Sequence, residues 1–405
     1  MSGTKRKREE QPPEPAAATA AAVAAALIAS VLGNDDLLIE ILLRLGSPAW
    51  FVRAALVCRR WLRLASDPAL LRRFRARHPP RVLGLSVCEA YSSPKLFPFP
   101  QPPDLAAAAR LAGGALETLG REDWVVDCRN GRLLVQNPGD WVDETYAVRS
   151  LLHAGRDEDL PPTPYFSVAG GTWRIEYFLL EDDDDPTSCL CLRTLCSRTK
   201  ARAQFSFLRS GVWSAPRRSA LMELSCEAKL RHKLLSGTKI YMITNVRSIL
   251  VLDLSTATFS LVKLPDGAGR RRSLRFARAQ QSGLYLIDAI GYKLRVWLWR
   301  GDGAEQWELV DTISVRKACD HLNVRRWKPD DSQSPPVQVV LVGDNAEFVI
   351  FELVASGIVC YMQLGNRVVE KVAWRLLEKF GPYAHPVTMV WPPIFPKLDK
   401  ASEEH

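Results

Sequence analysis

A β unit that recurs after 46 residues constrains this chain more than any other feature. GTKIYMIT (237–244) is followed by ILVLDLSTATFSLVKLP (249–265), and GLYLIDA (283–289) by LRVWLWRGDGAEQWELVDTI (294–313). Each unit opens on Gly and a short Tyr-containing strand, continues as an alternating strand, turns, and ends on another aromatic strand. A third unit, VQVVLVGDNAEFVIFEL (337–353) with GIVCYMQL (357–364), keeps the order without the strict period. A repeat of about 40–50 residues with four strands is the signature of propeller blades. RNGRLLVQN (129–137) and GGTWRIEYFLL (170–180) fit as irregular blades, and about six such repeats fit into residues 81–395. One or two β-sandwiches are the alternative, because the register is poor ahead of residue 230.

Residues 31–80 have a helical pattern instead. A first helix is expected after Asn34 or Asp35, with Asp36 in its first turn and apolar Leu37, Leu38, Ile41, Leu42 and Leu45 at helical spacing up to Gly46. Ser47-Pro48 opens a second helix carrying Phe51, Val52, Ala55, Leu56, Val57, Trp61 and Leu64, with a break inside it. Asp67-Pro68 opens a third, which ends before Pro79-Pro80. Three helices in about fifty residues bury too little to be robust alone. Their apolar surface needs a cover, either another domain or a partner.

Charge narrows the function classes. Residues 1–81 hold 14 Lys+Arg against 7 Asp+Glu, so most of the net +9 sits there. The rest is nearly balanced, which argues against a general nucleic-acid surface and leaves weak binding through the basic N-terminal part as the alternative. Nine irregularly spaced cysteines, an odd count, and no Asn-X-Ser/Thr acceptor point to a reducing compartment, nucleus or cytoplasm. The Ala-rich run 16–32 is too weakly apolar to span a membrane. Residues 1–30 read as a disordered tail turning helical near its end, and 396–405 as a frayed terminus.

No motif supports catalysis. The sequence lacks a Gly-rich phosphate loop, an HExxH pair and a Gly-X-Ser-X-Gly elbow, and its six histidines are scattered. Cys189-X-Cys191 with Cys196 has no nearby His or second pair to complete a zinc site, and Cys319 with His321 has none either. The acidic EDDDD (181–185), followed by Pro186, reads as a solvated hairpin tip. No cofactor or metal is expected. RRFRARHPPR (72–81) reads as a solvated helix face. Lys5, Arg6, Lys7 and Arg8 form a nuclear-import type of run.

The stretch LGNDDLLIEILLRLGSPAWFVRAALVCRRWLRLASDPAL (32–70) resembles the F-box. Leu32, Asp36, Leu37, Leu38, Glu40, Ile41, Leu42, Leu45, Leu56, Val57, Cys58, Arg59, Trp61, Asp67 and Pro68 fall on the family pattern, while Gly33 stands where the family usually has Pro. VVDCRNGRLL (125–134), LVGDNAEFVIFEL (341–353) and HPPRVLGLSV (78–87) are similar to the F-box-associated β domains of plant F-box proteins. The resemblance implies an α+β multidomain chain: a small three-helix F-box at 31–80, then a large all-β domain at 81–395. It implies a non-catalytic substrate receptor of a ubiquitin ligase, held by a SKP-type adaptor and through it a cullin, with the β domain recruiting an unknown target protein. Leu32, Leu37, Leu38, Ile41, Leu42, Leu45, Leu56, Val57 and Trp61 would meet the adaptor, with Trp61 bracing the helices and Cys58 a small buried hydrophobe. A protein-interaction scaffold is the other function considered. For the target, the loop GAGRRRSLRFAR (267–278) is favoured, above all Arg270, Arg271 and Arg272, because Arg binds carboxylate or phosphate with two donors at once.

Overall fold

The computed structural model describes residues 15–388 apart from 46–47, 79–81, 89–91, 102, 138–144, 152–156, 165–172, 181–184, 186, 198, 225–229, 245–246, 269–273, 280–282, 302–305, 328–334 and 375–383. The chain divides into two compact units, one reaching to Arg81 and one spanning Val82–Met389.

The first unit is helical: α1 (Pro15–Gly33), α2 (Asp35–Leu43), α3 (Pro48–Ala55), α4 (Arg59–Ala65) and α5 (Pro68–Arg77). Its boundaries follow local chemistry. The Asn34 side chain accepts from the amides of Asp36 and Leu37 at 2.9 and 3.2 Å, and Asp67 accepts from Leu70 at 2.8 Å. Each bond satisfies an amide that a helix start leaves without a partner. The break expected in the second helix is real and falls at 56–58. The Ala-rich tail departs from expectation, being helical from Pro15 rather than only near its end. Among the described residues no single helix is long and apolar enough to cross a membrane, and α1 and α2 bend by 86° at Asn34.

The second unit begins with β1 (Val82–Val87), β2 (Lys95–Pro98) and α6 (Pro103–Glu117). Sheets then follow in chain order. The first is β3 (Trp124–Arg129), β4 (Arg132–Asn137), β5 (Thr145–Ser150) and β6 (Glu158–Asp159). The second is β7 (Arg174–Leu179), β8 (Cys189–Cys196) and β9 (Lys200–Arg209), with β10 (Val212–Trp213), β11 (Arg217–Arg218) and β12 (Met222–Glu223) all pairing with β9. The third is β13 (Arg231–Ser236), β14 (Lys239–Ile243), β15 (Ser248–Asp253) and β16 (Thr258–Lys263), and the fourth is β17 (Arg275–Arg278), β18 (Leu284–Ile290), β19 (Lys293–Trp299) and β20 (Glu308–Ser314). The fifth is β21 (Val337–Val342), β22 (Phe348–Leu353), β23 (Ile358–Gln363) and β24 (Val369–Trp374). The last strand, β25 (Ala384–Thr388), returns to pair with β1 in a sheet ordered β2-β1-β25.

Six apolar clusters fill six seams. Leu134 meets Tyr177 and Leu208 between the first two sheets, and Phe205 meets Ile240 between the next two. Tyr241 packs with Leu286, and Ile287 with Phe351. Ile350 packs with Leu85, and Leu83 with Leu133 together with Ala112 and Leu116 of α6. Every sheet thus has two packed faces, and the sixth seam joins the last sheet to the first. A sandwich has one interface, so this is a six-bladed β-propeller closed by β1 against β25.

The two-faced burial explains the poor register of the sequence pattern. Neighbours such as Leu286 and Ile287 point to opposite seams, so both must be apolar and alternation is lost. It also shifts the repeat. Gly237 lies in the turn between the first and second strands of its blade, so the unit starts one strand earlier than expected, at β13. Two further corrections apply. Arg275 and Arg278 lie on strand β17 rather than in a loop. The β domain also contains a 15-residue helix, α6, whose run PDLAAAARLAGGALE went unrecognised. Close approach dictates Gly84, where a Cβ would collide with the Phe97 carbonyl of β2. Asn130 and Gly131, both at positive φ, make the tight β3–β4 turn.

Candidate functional site

The helical unit has a small core of its own. Leu38, Leu42, Leu43, Phe51, Ala55, Ala65, Leu70 and Phe74 are buried in it, and the Phe51 and Phe74 rings stack at 4.3 Å. Leu38 and Leu42, expected at the adaptor, are therefore committed to holding the helices together, because an i, i+4 pair on the inner side of α2 faces α5 rather than solvent. Leu32, Ile41, Leu45 and Trp61 are half-buried. Leu37, Leu56 and Val57 are open, at 46%, 70% and 64% exposure. Trp50, at 58%, joins them and was missed in the sequence. Its signal was an aromatic in the first turn after Pro48, off the apolar stripe. With Val23, Leu27, Ile28 and Val31 of α1, eight large apolar side chains of this small unit are open to water, which is costly unless something covers them.

Polar contacts set the frame of this surface. The Arg60 guanidinium donates to the carbonyls of Leu32 and Gly33, both at 2.7 Å, and to Asp35 at 2.8 Å. It thereby fixes the end of α1 and the start of α2 to α4. Arg73 of α5 bonds Glu40 of α2 at 2.7 Å and, through that bond, lowers the pKa of the Glu40 carboxyl. Arg72, Arg73 and Arg77 are exposed, so the face of α5 is solvated as expected. Cys58 is exposed at the start of α4, not buried as expected, because the helix break turns it outward.

The second candidate is the propeller channel. Among the described residues, the innermost strands β25, β3, β7, β13, β17 and β21 each have a strand partner on one side only. The backbone groups on their other edge need partners. Side chains from neighbouring blades supply them. Leu179 of β7 donates its N–H to Asp127 at 2.9 Å, and its carbonyl accepts from Arg129 at 2.8 Å. The carbonyl of Leu235 on β13 accepts from Arg278 at 2.6 Å, and that of Val340 on β21 from Arg275 at 2.8 Å. Lys233 of β13 donates to Thr194 at 3.0 Å and pairs with Glu176 of β7. Burial pulls Arg275 down to about 10 and lowers Lys233 as well.

Other expected sites are placed differently or not at all. Arg270, Arg271, Arg272, Lys5, Arg6, Lys7 and Arg8 lie outside the described residues, as do 181–184 of the acidic run. Asp185 is a turn organiser, accepting from Thr187 and from the Ser210 amide. Cys189 and Cys191 pack in one seam and Cys196 against another, and burial raises all three thiols, so they act as packing groups. Among the described residues, no group of His, Cys, Asp and Glu is arranged to hold a metal.

Comparison with known proteins agrees with this architecture. A family described as F-box protein AT5G49610-like, beta-propeller, matches residues 124–395, and an F-box-like family matches residues 35–77. No curated protein matches the chain. Among solved structures it is similar to a prolyl endopeptidase at 12% identity and a TM-score of 0.33, over 60% of this chain and 32% of that one. A chain of a nidogen/laminin complex shows 10% identity and a TM-score of 0.36, over 64% and 81%. A quinonprotein alcohol dehydrogenase-like protein from Bacteroides thetaiotaomicron shows 10% and 0.34, over 71% and 62%. The chain thus spans about a third of the prolyl endopeptidase's length.

Proposed function

The chain belongs to the F-box protein AT5G49610-like β-propeller family, and from that premise we propose that it is the substrate-recognition subunit of a SKP–cullin–F-box ubiquitin ligase. The observation that carries the reading is the open apolar set Leu37, Trp50, Leu56 and Val57 on an F-box-like unit whose core is otherwise complete. A SKP-type adaptor covers that set and links the chain to a cullin, and the propeller holds a target protein. The chain itself performs no bond chemistry. It raises the effective concentration of the target near the ubiquitin-carrying enzyme, which makes transfer nearly intramolecular. The basic run 5–8 and the odd cysteine count favour nucleus or cytoplasm as its setting.

The test is adaptor capture by the full chain. Leu37→Asp with Val57→Asp places two carboxylates in the apolar contact and is expected to abolish co-purification of the adaptor without altering the fold, since both side chains are exposed. Unchanged capture by this variant overturns the reading. Leu38→Asp serves as the contrast: it charges the core, and loss of the unit's helical signal is expected with it.

A further inference from the structure

The connector from the fourth blade to the fifth sorts its side chains by chemistry. Residues 315–327, VRKACDHLNVRRW, leave β20 as a short helix, α7 (Val315–Ala318), and a 3-10 turn, Asp320–Leu322. Val315 and Cys319 are buried in the seam between the two blades, and Ala318, Leu322, Val324 and Trp327 pack against it. The Val315 amide donates to the Tyr292 carbonyl at 2.8 Å, and the His321 ring donates to the Val369 carbonyl at 2.9 Å. The segment is thereby anchored to both blades. Its cations point the other way: Arg316, Lys317, Arg325 and Arg326 are all exposed.

Nothing within the described residues compensates this charge. None of the four cations makes an ion pair or a side-chain hydrogen bond there. Asp320 is the one acid of the connector, and Asp311 on the preceding β20 is taken by Arg367 at 3.2 Å. Lys328, Asp330 and Asp331, next in the chain, lie outside the described residues, and counting them still leaves more cations than acids. Arg316 is also held in place. Its guanidinium carbon lies 4.1 Å from the centre of the Tyr292 ring and 5.4 Å from that of Trp327. The two rings meet at 77° with centres 5.1 Å apart, so they form a corner around the cation. Ring faces attract a guanidinium without using its N–H groups. Arg316 is therefore oriented in advance with its donors unspent, which lowers the ordering cost of binding an anion.

From this we infer that the connector 315–327 is a docking surface for an Asp/Glu-rich segment of the protein the propeller recruits. This deepens the proposed receptor role and rests on it. Arg316 takes one carboxylate through its planar fork of donors, and Lys317, Arg325 and Arg326 attract the neighbouring ones. A single phosphoryl group needs donors that converge on one point. Here the cations come as two pairs, 316–317 and 325–326, strung along the connector, which suits several acids spaced along a chain.

The experiment uses the full chain and fluorescence polarisation of a labelled hexaglutamate peptide at low salt. Arg316→Gln is expected to weaken binding about tenfold, and Arg316→Lys nearly as much, because lysine keeps the charge but loses the fork. Arg325→Gln with Arg326→Gln is expected to weaken it several-fold. All three variants alter exposed side chains, so their melting temperatures are expected to match that of the unaltered chain. Arg202→Gln removes an exposed cation from β9 of the second blade and is expected to leave binding unchanged. Equal weakening by Arg202→Gln shows a response to net charge alone and overturns the site. Absence of binding by the unaltered chain, full affinity in either Arg316 variant, or tighter binding of a singly phosphorylated peptide or a single-stranded oligonucleotide overturns it too. Adaptor capture is measured in parallel. Peptide binding that persists in a chain unable to capture the adaptor refutes the ligase role and still supports the docking surface, whereas capture without peptide binding overturns the docking surface alone.

Discussion

At the scale of single residues, polar side chains do two different jobs in this molecule. Some end helices, as Asn34 and Asp67 do, and their effect is local. Others bridge elements distant in sequence, as Arg60, Arg278 and Lys233 do. The Lys233–Glu176 pair ties the second blade to the third with the ammonium almost wholly buried and the carboxylate about a third open. Removing one partner of such a pair leaves a charge poorly solvated, which costs more than the pair contributes net. Lys233→Met is therefore expected to destabilise the propeller by about 2–4 kcal/mol. Adding Glu176→Gln is expected to recover much of that loss. Denaturant melts of the two variants decide it, and a double variant no more stable than the single one would show that Lys233 acts through packing alone.

At the scale of elements, ring closure matters most. β1 pairs with both β2 and β25, and its residues supply Leu83 to one seam and Leu85 and Val87 to another. In a regular strand these three would share a face; the register shift between Val82 and Gly84 against β25 turns Leu83 to the other seam, so one segment fills two seams at once. The region matched by the propeller family starts at residue 124, after β1, β2 and α6. A fragment starting there keeps five blades but leaves β25 without its strand partner and two apolar seams open. Such a fragment is expected to aggregate or to unfold over a broad range, whereas one starting at Val82 melts in a single sharp transition. Calorimetry of both fragments measures the difference. Gly84 belongs to the same argument, since any side chain there pushes β2 off β1.

At the scale of the whole molecule, the two units carry their apolar surface in opposite ways. The propeller buries most of it in six internal seams and exposes scattered residues such as Val212 and Val310, while the helical unit leaves Leu37, Trp50, Leu56 and Val57 open beside a small core. The Val82–Met389 unit is thus expected to fold alone with a β-dominated circular dichroism spectrum and a minor helical contribution from α6. A spectrum dominated by helix would contradict the six-bladed assignment. The cationic bias also divides, with the first 81 residues holding most of the net charge.

What the sequence by itself determined is the part governed by short-range chemistry. Capping residues and first-position prolines marked the starts of α2, α3 and α5, and β-branched runs between turn residues marked most blade strands. The blade period and the F-box-like pattern were legible because both recur at fixed spacing. Tertiary structure alone decided the rest. A Leu stripe shows that a helix has an apolar side, but Leu38 and Leu37 are neighbours in that stripe, and only the packing of α5 on α2 sends one inward and leaves the other open. The phase of the repeat was hidden because strands buried on both faces lose the alternation that would locate them. Ring closure pairs residues 82–87 with 384–388, a contact between chain segments about three hundred residues apart that no local pattern encodes. The bonds between blades were hidden for the same reason: Lys233 and Arg278 are unremarkable in sequence, and only neighbouring blades bring them to Glu176 and to the Leu235 carbonyl.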